Sequence, residues 1–436
     1  MVLPLRRDLA VRAALERRLL TADRPLAALL DLHGVQESAT ALHGAFAAVT
    51  APGQEVLHTF AVKAGSLVPV LRLLDGFGIG CEVASPGELA LARAAGLAAD
   101  RIVLDSPAKT EAELREALAL GIALNADSPQ ELARLDALVA SEPVSAPPLG
   151  LRINPQLGGG TIDAMSTATT TAKFGIGLRD PGAREWIVRA FLDRPWLTRL
   201  HCHVGSQGMA LERMAAGVRA LWELAEEINA AAGARRVTTL DIGGGLPVDF
   251  ASDETPPPFA AYARLLNETV PGLFDGRYGL VTEFGRSLLA KSGFILARVE
   301  YTKTTGGRPI AVTHAGAQVA VRTVFAPASW PLRIAAYDAE GRPKKGPDVR
   351  QDVAGPCCFA GDLVARDRAL PPLDPGDLVA LLDTGAYYFS TPFGYNALLR
   401  PGVHGYRADP GTPTVFTTLR RPQTMSELVT EYGGDC

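Results

Sequence analysis

The chain is poor in the residues that build disulfide frameworks and metal sites. Its 436 residues include five cysteines and seven histidines. The cysteines are Cys81, Cys202, Cys357, Cys358 and Cys436. Their number is odd, and no C-x-x-C pair or His/Cys cluster has zinc spacing. A disulfide framework is therefore excluded as the organising principle, no metal is expected, and a reducing, cytoplasmic compartment is. No apolar run reaches the roughly 18 residues of a membrane span. The opening MVLPLRRDLAVRAALERRLL carries charges throughout and lacks a signal-peptide core. No stretch is strongly basic, and the net charge is −4. That argues against nucleic acid or an anionic membrane as the main partner.

Apolar residues are plentiful at 47%, enough for a large core. The length suits one large barrel plus a smaller domain. Eight short apolar runs are candidate strands: 58–63, 78–84, 101–105, 121–125, 149–153, 199–204, 238–242 and 280–283. Between them lie segments of helical period such as SPGELALARAAG and SPQELARLDALVA. Each opens on a Ser N-cap, followed by Pro and Glu in the first turn. Strands alternating with helices predict an α/β fold, a (β/α)8 TIM-type barrel over 37–290. Periodicity alone leaves a doubly wound open sheet as the alternative. After about residue 290 the chain turns β-branched and aromatic, with turn signals such as GGRP and PPLDPGD. Residues 291–436 are read as a second, mostly β domain, which the 1–36 segment partly joins through PLAALLDLHGVQ.

Chemistry in such a barrel belongs at the C-terminal strand ends. Those ends carry Lys63, Glu82, Arg152, His203 and Ser206, then Gly243-Gly244-Gly245 and Glu283-Phe284-Gly285-Arg286. Singly, each has an ordinary explanation: a rim charge or a tight turn. Together they describe one ligand. Glycine amides approach an anion closely, and the loops after strands seven and eight are the usual phosphate site. Arg286 and Ser206 add donors. Lys63 in an apolar setting is an amine nucleophile for an aldehyde. Glu283 can keep a pyridine nitrogen protonated, and His203 can stack on a flat ring. Phosphate, aldehyde and pyridine make pyridoxal phosphate. His201 and His203 are expected to point to opposite sides, with His201 packing the barrel.

At these residues the sequence resembles the fold-type III pyridoxal-phosphate decarboxylases, the group of diaminopimelate, ornithine and arginine decarboxylases. The matching segments run in the family order: FAVKA (60–64), GCEVASPGEL (80–89), LRINP (151–155), KFGIG (173–177), HCHVGSQ (201–207), LDIGGGLP (240–247), EFGR (283–286), GPCCFAGD (355–362) and GAYYFSTPFGYN (385–396). The resemblance implies an alanine-racemase-like barrel, an amino-acid decarboxylase, and a homodimer with shared sites. It implies Lys63 as covalent anchor and His203 over the ring. It gives Ser206, the glycine triplet, Gly285, Arg286 and Tyr387 to the phosphate side and Glu283 to the ring nitrogen. Arg152 and Glu82 become a supporting polar pair, and Cys358 the cysteine donated by a partner subunit. Cys357-Cys358 and Tyr387 would otherwise read as buried small hydrophobes and an ordinary strand aromatic.

The sequence departs from the family beside that cysteine. Relatives place an acid there, which contacts the distal amine of a diamino acid. Here Phe359 and Ala360 follow Cys358. An apolar residue cannot satisfy an ammonium ion. The substrate is therefore expected to be neither diaminopimelate nor ornithine, with His314 and Arg322 as candidate contacts for a carboxylate. Decarboxylases of natural-product or siderophore pathways resemble the chain at least as well. A racemase is the alternative reaction, and a non-catalytic regulatory homologue the alternative of another class. An acid at Glu283, where racemases of this fold use Arg, favours decarboxylation.

Overall fold

The computed structural model describes residues 3–141, 147–253 and 259–435; Cys436 lies outside them. The chain divides into two compact units. One comprises residues 38–248 and 256–288, the other 1–37, 249–255 and 289–436.

The first unit is a closed barrel. Its eight parallel strands are Val56–Ala61, Gly80–Val83, Ile102–Leu104, Ala123–Ala126, Leu149–Asn154, Leu197–His201, Thr239–Asp241 and Gly279–Phe284. Each pairs with the next, and the last pairs with the first, Glu283 lying against Thr59. A two-residue strand, Ile176–Gly177, adds beside the fifth. The helices Pro86–Ala95 and Pro129–Ser141 begin where the sequence signals place them. In Pro86–Ala95 the Ser85 side chain accepts the Glu88 amide, and Gly96 closes the helix at φ 94°. In Glu111–Leu120, Thr110 and Glu113 form a reciprocal capping box. Buried faces such as Leu89, Ala92, Leu114, Ala117, Leu132 and Leu135 seat these helices on the barrel.

Side chains two apart on a strand share a face, so the barrel interior can be traced from strand to strand. Leu57, Val103, Ala123 and Val281 form an apolar cluster. Two residues further along the same strands stand Thr59, Asp105, Asn125 and Glu283, all buried. The interior therefore turns from apolar to polar toward the C-terminal mouth. Gly150 makes room for this layer: a Cβ there would lie 2.1 Å from Asn125 Oδ1 and 3.0 Å from Arg199 Cβ.

The second unit is built on a nine-stranded sheet. Its strand Leu26–Asp31 runs antiparallel to Gly293–Thr305 and parallel to Gly402–Arg407. Helix Leu3–Glu16 was not foreseen in the sequence. It contributes Ala10, Val11 and Ala14 to a core with Leu29, Phe294, Leu296, Leu378 and Tyr406. Buried Arg6 on this helix bonds Asp31 at 2.6 Å and the half-exposed Glu37.

Candidate active site

Two expected strands end before their apolar runs do. The first ends at Ala61, and Lys63 sits in a 3₁₀ turn, Val62–Ala64. The sixth ends at His201, so His203 lies beyond it in the loop. Both side chains are thereby freed from sheet geometry at the barrel mouth.

Lys63 forms an ion pair with buried Glu82. Arg152 was expected to pair with Glu82. It lies instead 3.7 Å from Asp127, with its guanidinium 4.5 Å from the centre of the Phe174 ring. Glu82 is committed to the lysine, and the fifth strand carries Arg152 closer to Asp127. Gly285 allows the end of the eighth strand to approach the lysine turn: a Cβ would sit 2.9 Å from that of Ala64.

The glycine triplet is more than a tight turn. A Cβ on Gly244 would fall 1.9 Å from the Glu283 carbonyl oxygen, and one on Gly245 1.7 Å from that of Gly205. The loop is wedged between the ends of the sixth and eighth strands, a cradle only glycine can occupy. The Gly243 amide donates to Asp241 Oδ1 at 3.1 Å, and the Gly244 amide to His203 Nδ1 at 3.1 Å. This leaves the Gly245 amide as the triplet's candidate donor to an anion. Ser206, half-buried, and Arg286, buried, belong to the same end of the barrel. Residues 156–172 are tied to the Ser206 loop by Thr167 Oγ1 donating to the His203 carbonyl at 2.6 Å and the Ser206 amide donating to the Met165 carbonyl at 3.0 Å.

Burial, Arg152 and Lys63 hold His203 well below the usual imidazole range, so its ring is neutral. Accepting from Gly244, that ring is also oriented. Burial, followed by Asp241, Asp105 and Glu82, pushes the Glu283 carboxyl well above the usual range.

Sequence reasoning missed what lies behind Glu283. His201 is fully buried with Asp105 Oδ2 3.5 Å from Nδ1 and Glu283 Oε2 3.5 Å from Nε2. It is neither turned away from the interior nor simple packing: on the sixth strand it shares a face with Arg199, two residues earlier, whose guanidinium reaches the same acid cluster. Asn125 Nδ2 donates to Asp105 at 3.0 Å, and Arg199 binds Asp241 at 2.6 Å. Asp105, His201, Asp241 and Glu283 each place a ligand-type atom within 4.8 Å of one another. Arg199 already supplies a cation to that cluster. The period of two from Val103 and Val281 would have found Asp105 and Glu283 together.

The remaining candidates belong to the second unit. Cys357 is buried, its thiol pushed up to about 11 by burial and Asp362, whereas Cys358 is exposed. The Cys358 amide donates to Asn396 Oδ1 at 2.8 Å. Phe359 stacks on Phe325 at 5.5 Å and meets Tyr395 edge-on at 5.2 Å; Phe393 closes the group. Tyr387 has φ 65°, unusual without glycine. Arg322 lies over Tyr387 at 4.5 Å and Trp330 at 5.1 Å. His314 faces Glu300 at 3.2 Å.

A glycine cradle beside a buried arginine, a lysine at the rim and a buried acid with an oxygen lacking a bond suit a phosphate-bearing pyridine aldehyde. Comparison with known proteins points the same way. Residues 36–290 match the model of the "Pyridoxal-dependent decarboxylase, pyridoxal binding domain". The diaminopimelate decarboxylase of Pseudomonas aeruginosa is 35% identical over 388 residues, covering 88% of this chain and 87% of that protein. That of Vibrio cholerae is 34% identical over 370 residues, covering 85% and 84%. The crystal structure of diaminopimelate decarboxylase from Helicobacter pylori complexed with L-lysine superposes with a TM-score of 0.81. It is 25% identical and covers 96% of this chain and 98% of that one.

Proposed function

The chain belongs to the pyridoxal-dependent decarboxylases, enzymes that release carbon dioxide from amino acids with pyridoxal phosphate, and from that premise we propose that its substrate is an amino acid with no free ammonium group at the distal end. Bound pyridoxal phosphate supplies the electron sink for the pair left when carbon dioxide departs. The protein does the rest. Lys63 is the amine that anchors the cofactor, and Glu82 holds that amine in place. The Gly245 amide, Ser206 and Arg286 take the phosphate, with Tyr387 as a further donor. His203, neutral and fixed by Gly244, presents a flat face to the ring. Glu283 meets the ring nitrogen. Cys358 Sγ returns a proton to the substrate's Cα from a second copy of the chain in a homodimer. An acid at Glu283 supports decarboxylation over racemisation, since it allows the nitrogen to stay protonated.

The observation that carries the substrate reading is Phe359. Its ring belongs to a group of four aromatic rings. Such a surface offers no anion to an ammonium ion, and an unpaired ammonium loses its hydration there. Arg322 is the better candidate contact for an acidic distal group, because His314 already faces Glu300. The 35% identity to diaminopimelate decarboxylase over most of the chain favours the second reading, meso-diaminopimelate itself. Carbon dioxide release from meso-diaminopimelate, ornithine, lysine and arginine, against a panel with apolar, acylated and acidic ends, separates the two. The proposal requires the second group to be preferred. A kcat/KM of about 10⁴ M⁻¹s⁻¹ or more for any diamino acid, within the range of ordinary enzymes, refutes it.

A further inference from the structure

A fully buried imidazole with no hydrogen bond of good geometry at either nitrogen needs an explanation. His201 is such a group, and its polar neighbours are aligned. Asn125 bonds Asp105, Asp105 faces Nδ1, and Glu283 faces Nε2. We propose that His201 is a positioning residue for the decarboxylase, holding Glu283 by Oε2 and keeping a proton available to it, with Asp105 and Asn125 fixing the imidazole. The inference rests on the reading that Glu283 meets the ring nitrogen of the cofactor.

The chain of contacts gives each atom a task. Asp105 keeps the imidazole proton at Nδ1, so Nε2 presents its lone pair to the Glu283 carboxyl and accepts the O–H proton. When Glu283 is ionised, the proton that left Oε2 sits on Nε2, and the same contact persists as an ion pair. Asp105 balances that imidazolium. Both contacts stand at 3.5 Å and tighten to hydrogen-bond length as the proton passes. The charge states agree with this. Burial opposes ionisation of Asp105, but His201, the Glu283 contact and Arg152 together hold its carboxyl below the usual range. Burial keeps His201 neutral against the pull of Asp105 and Asp241. Glu82 and Asp241 add to the negative field on Glu283. Arg199 stays with Asp241, and Lys63 with Glu82. His201, facing Oε2, and Asp105, in direct contact with the same carboxyl, are thus the groups placed to share a proton with Glu283.

The test uses the holoenzyme and the variants His201→Gln, Asp105→Asn, Glu283→Gln and the double variant His201→Gln/Glu283→Gln. The absorption band of the bound cofactor is followed across pH alongside kcat and KM. In His201→Gln and Asp105→Asn the midpoint of the spectral titration should move by about one pH unit, and kcat should fall at least tenfold with KM nearly unchanged. In the double variant the His201 effect should vanish, since its target is gone. A folded, cofactor-loaded His201→Gln or Asp105→Asn with wild-type spectrum and kcat overturns the inference. So does a His201 effect of equal size with and without Glu283. If Glu283→Gln itself leaves spectrum and kcat unchanged, the reading of Glu283 fails first, and the inference falls with it. If His201→Gln does not fold, Asp105→Asn, isosteric with the native residue, decides alone.

Discussion

At the scale of single residues, the site was legible wherever a motif carries its own chemistry. Lys63, His203 and the glycine triplet stand out in sequence only as a set, because a strand-end lysine or a run of glycines alone reads as a rim charge or a tight turn. Asp105, Asn125 and His201 did not, because a buried acid, an amide and a histidine have no local signature until the barrel closes around them. Phe359 lies between these cases: it is conspicuous only as a departure from relatives. Phe359→Glu is expected to raise kcat/KM for a diamino acid by an order of magnitude or more, since an ionic partner discriminates more sharply than an apolar wall. The same change breaks the stack with Phe325 and should cost about 1 kcal/mol; urea unfolding and a decarboxylation assay measure the two effects. His58 offers a second test. Burial and His43 push its pKa down to about 3, and its Nδ1 lies 2.9 Å from Thr282 Oγ1. Folded protein keeps this ring neutral while unfolded chain takes up a proton below about 6.5. Its contribution is therefore complete above that pH and lost as pH falls from 6.5 toward 3, by a total on the order of a few kcal/mol. Urea unfolding at pH 7 and pH 4 should show a smaller difference in His58→Gln than in the native protein. An equal difference assigns the acid sensitivity elsewhere.

At the scale of elements, helix starts were the most readable feature. Ser85, Thr110 and Ser128 each accept the amide of a glutamate three residues on. Such caps depend on neighbours in sequence, so they survive translation from sequence to structure. Strand ends were less readable, because an apolar residue continues the alternation whether or not it is paired. That is why 58–63 and 199–204 overran Ala61 and His201. Helix Leu3–Glu16 was unreadable for another reason: its charges are spread round the helix, and one of them, Arg6, is buried. Thr110 is part of no site, and its cap is exposed at the surface. Thr110→Ala should therefore lower stability by about 1 kcal/mol with kcat and KM unchanged. Chemical denaturation and steady-state kinetics on the same preparation check both halves. A change in kcat with no loss of stability would contradict the assignment of this cap to folding alone.

At the scale of the whole molecule, the barrel and the β-rich unit were anticipated from alternation and from the change of composition near 290. The connection between the chain's two ends was only partly so. The proposed homodimer places Lys63 and Cys358 of different copies in one site. Mixing Lys63→Ala with Cys358→Ala chains should then restore up to roughly a quarter of native activity. Half the dimers are mixed, and each has one site with both residues intact. No recovery after proven subunit exchange, with each single variant inactive, rules out sharing. The strand Leu26–Asp31 has a consequence of its own. Both its neighbours, Gly293–Thr305 and Gly402–Arg407, lie far downstream. A ribosome adding about 5–20 residues each second needs many seconds to supply the first of them. Throughout that interval the nascent chain carries an apolar strand with two open edges, a template for pairing with another chain. Chaperone dependence during synthesis should therefore fall sharply when residues 1–37 are transplanted to the C-terminus, where the strand emerges only after both its partners have been made.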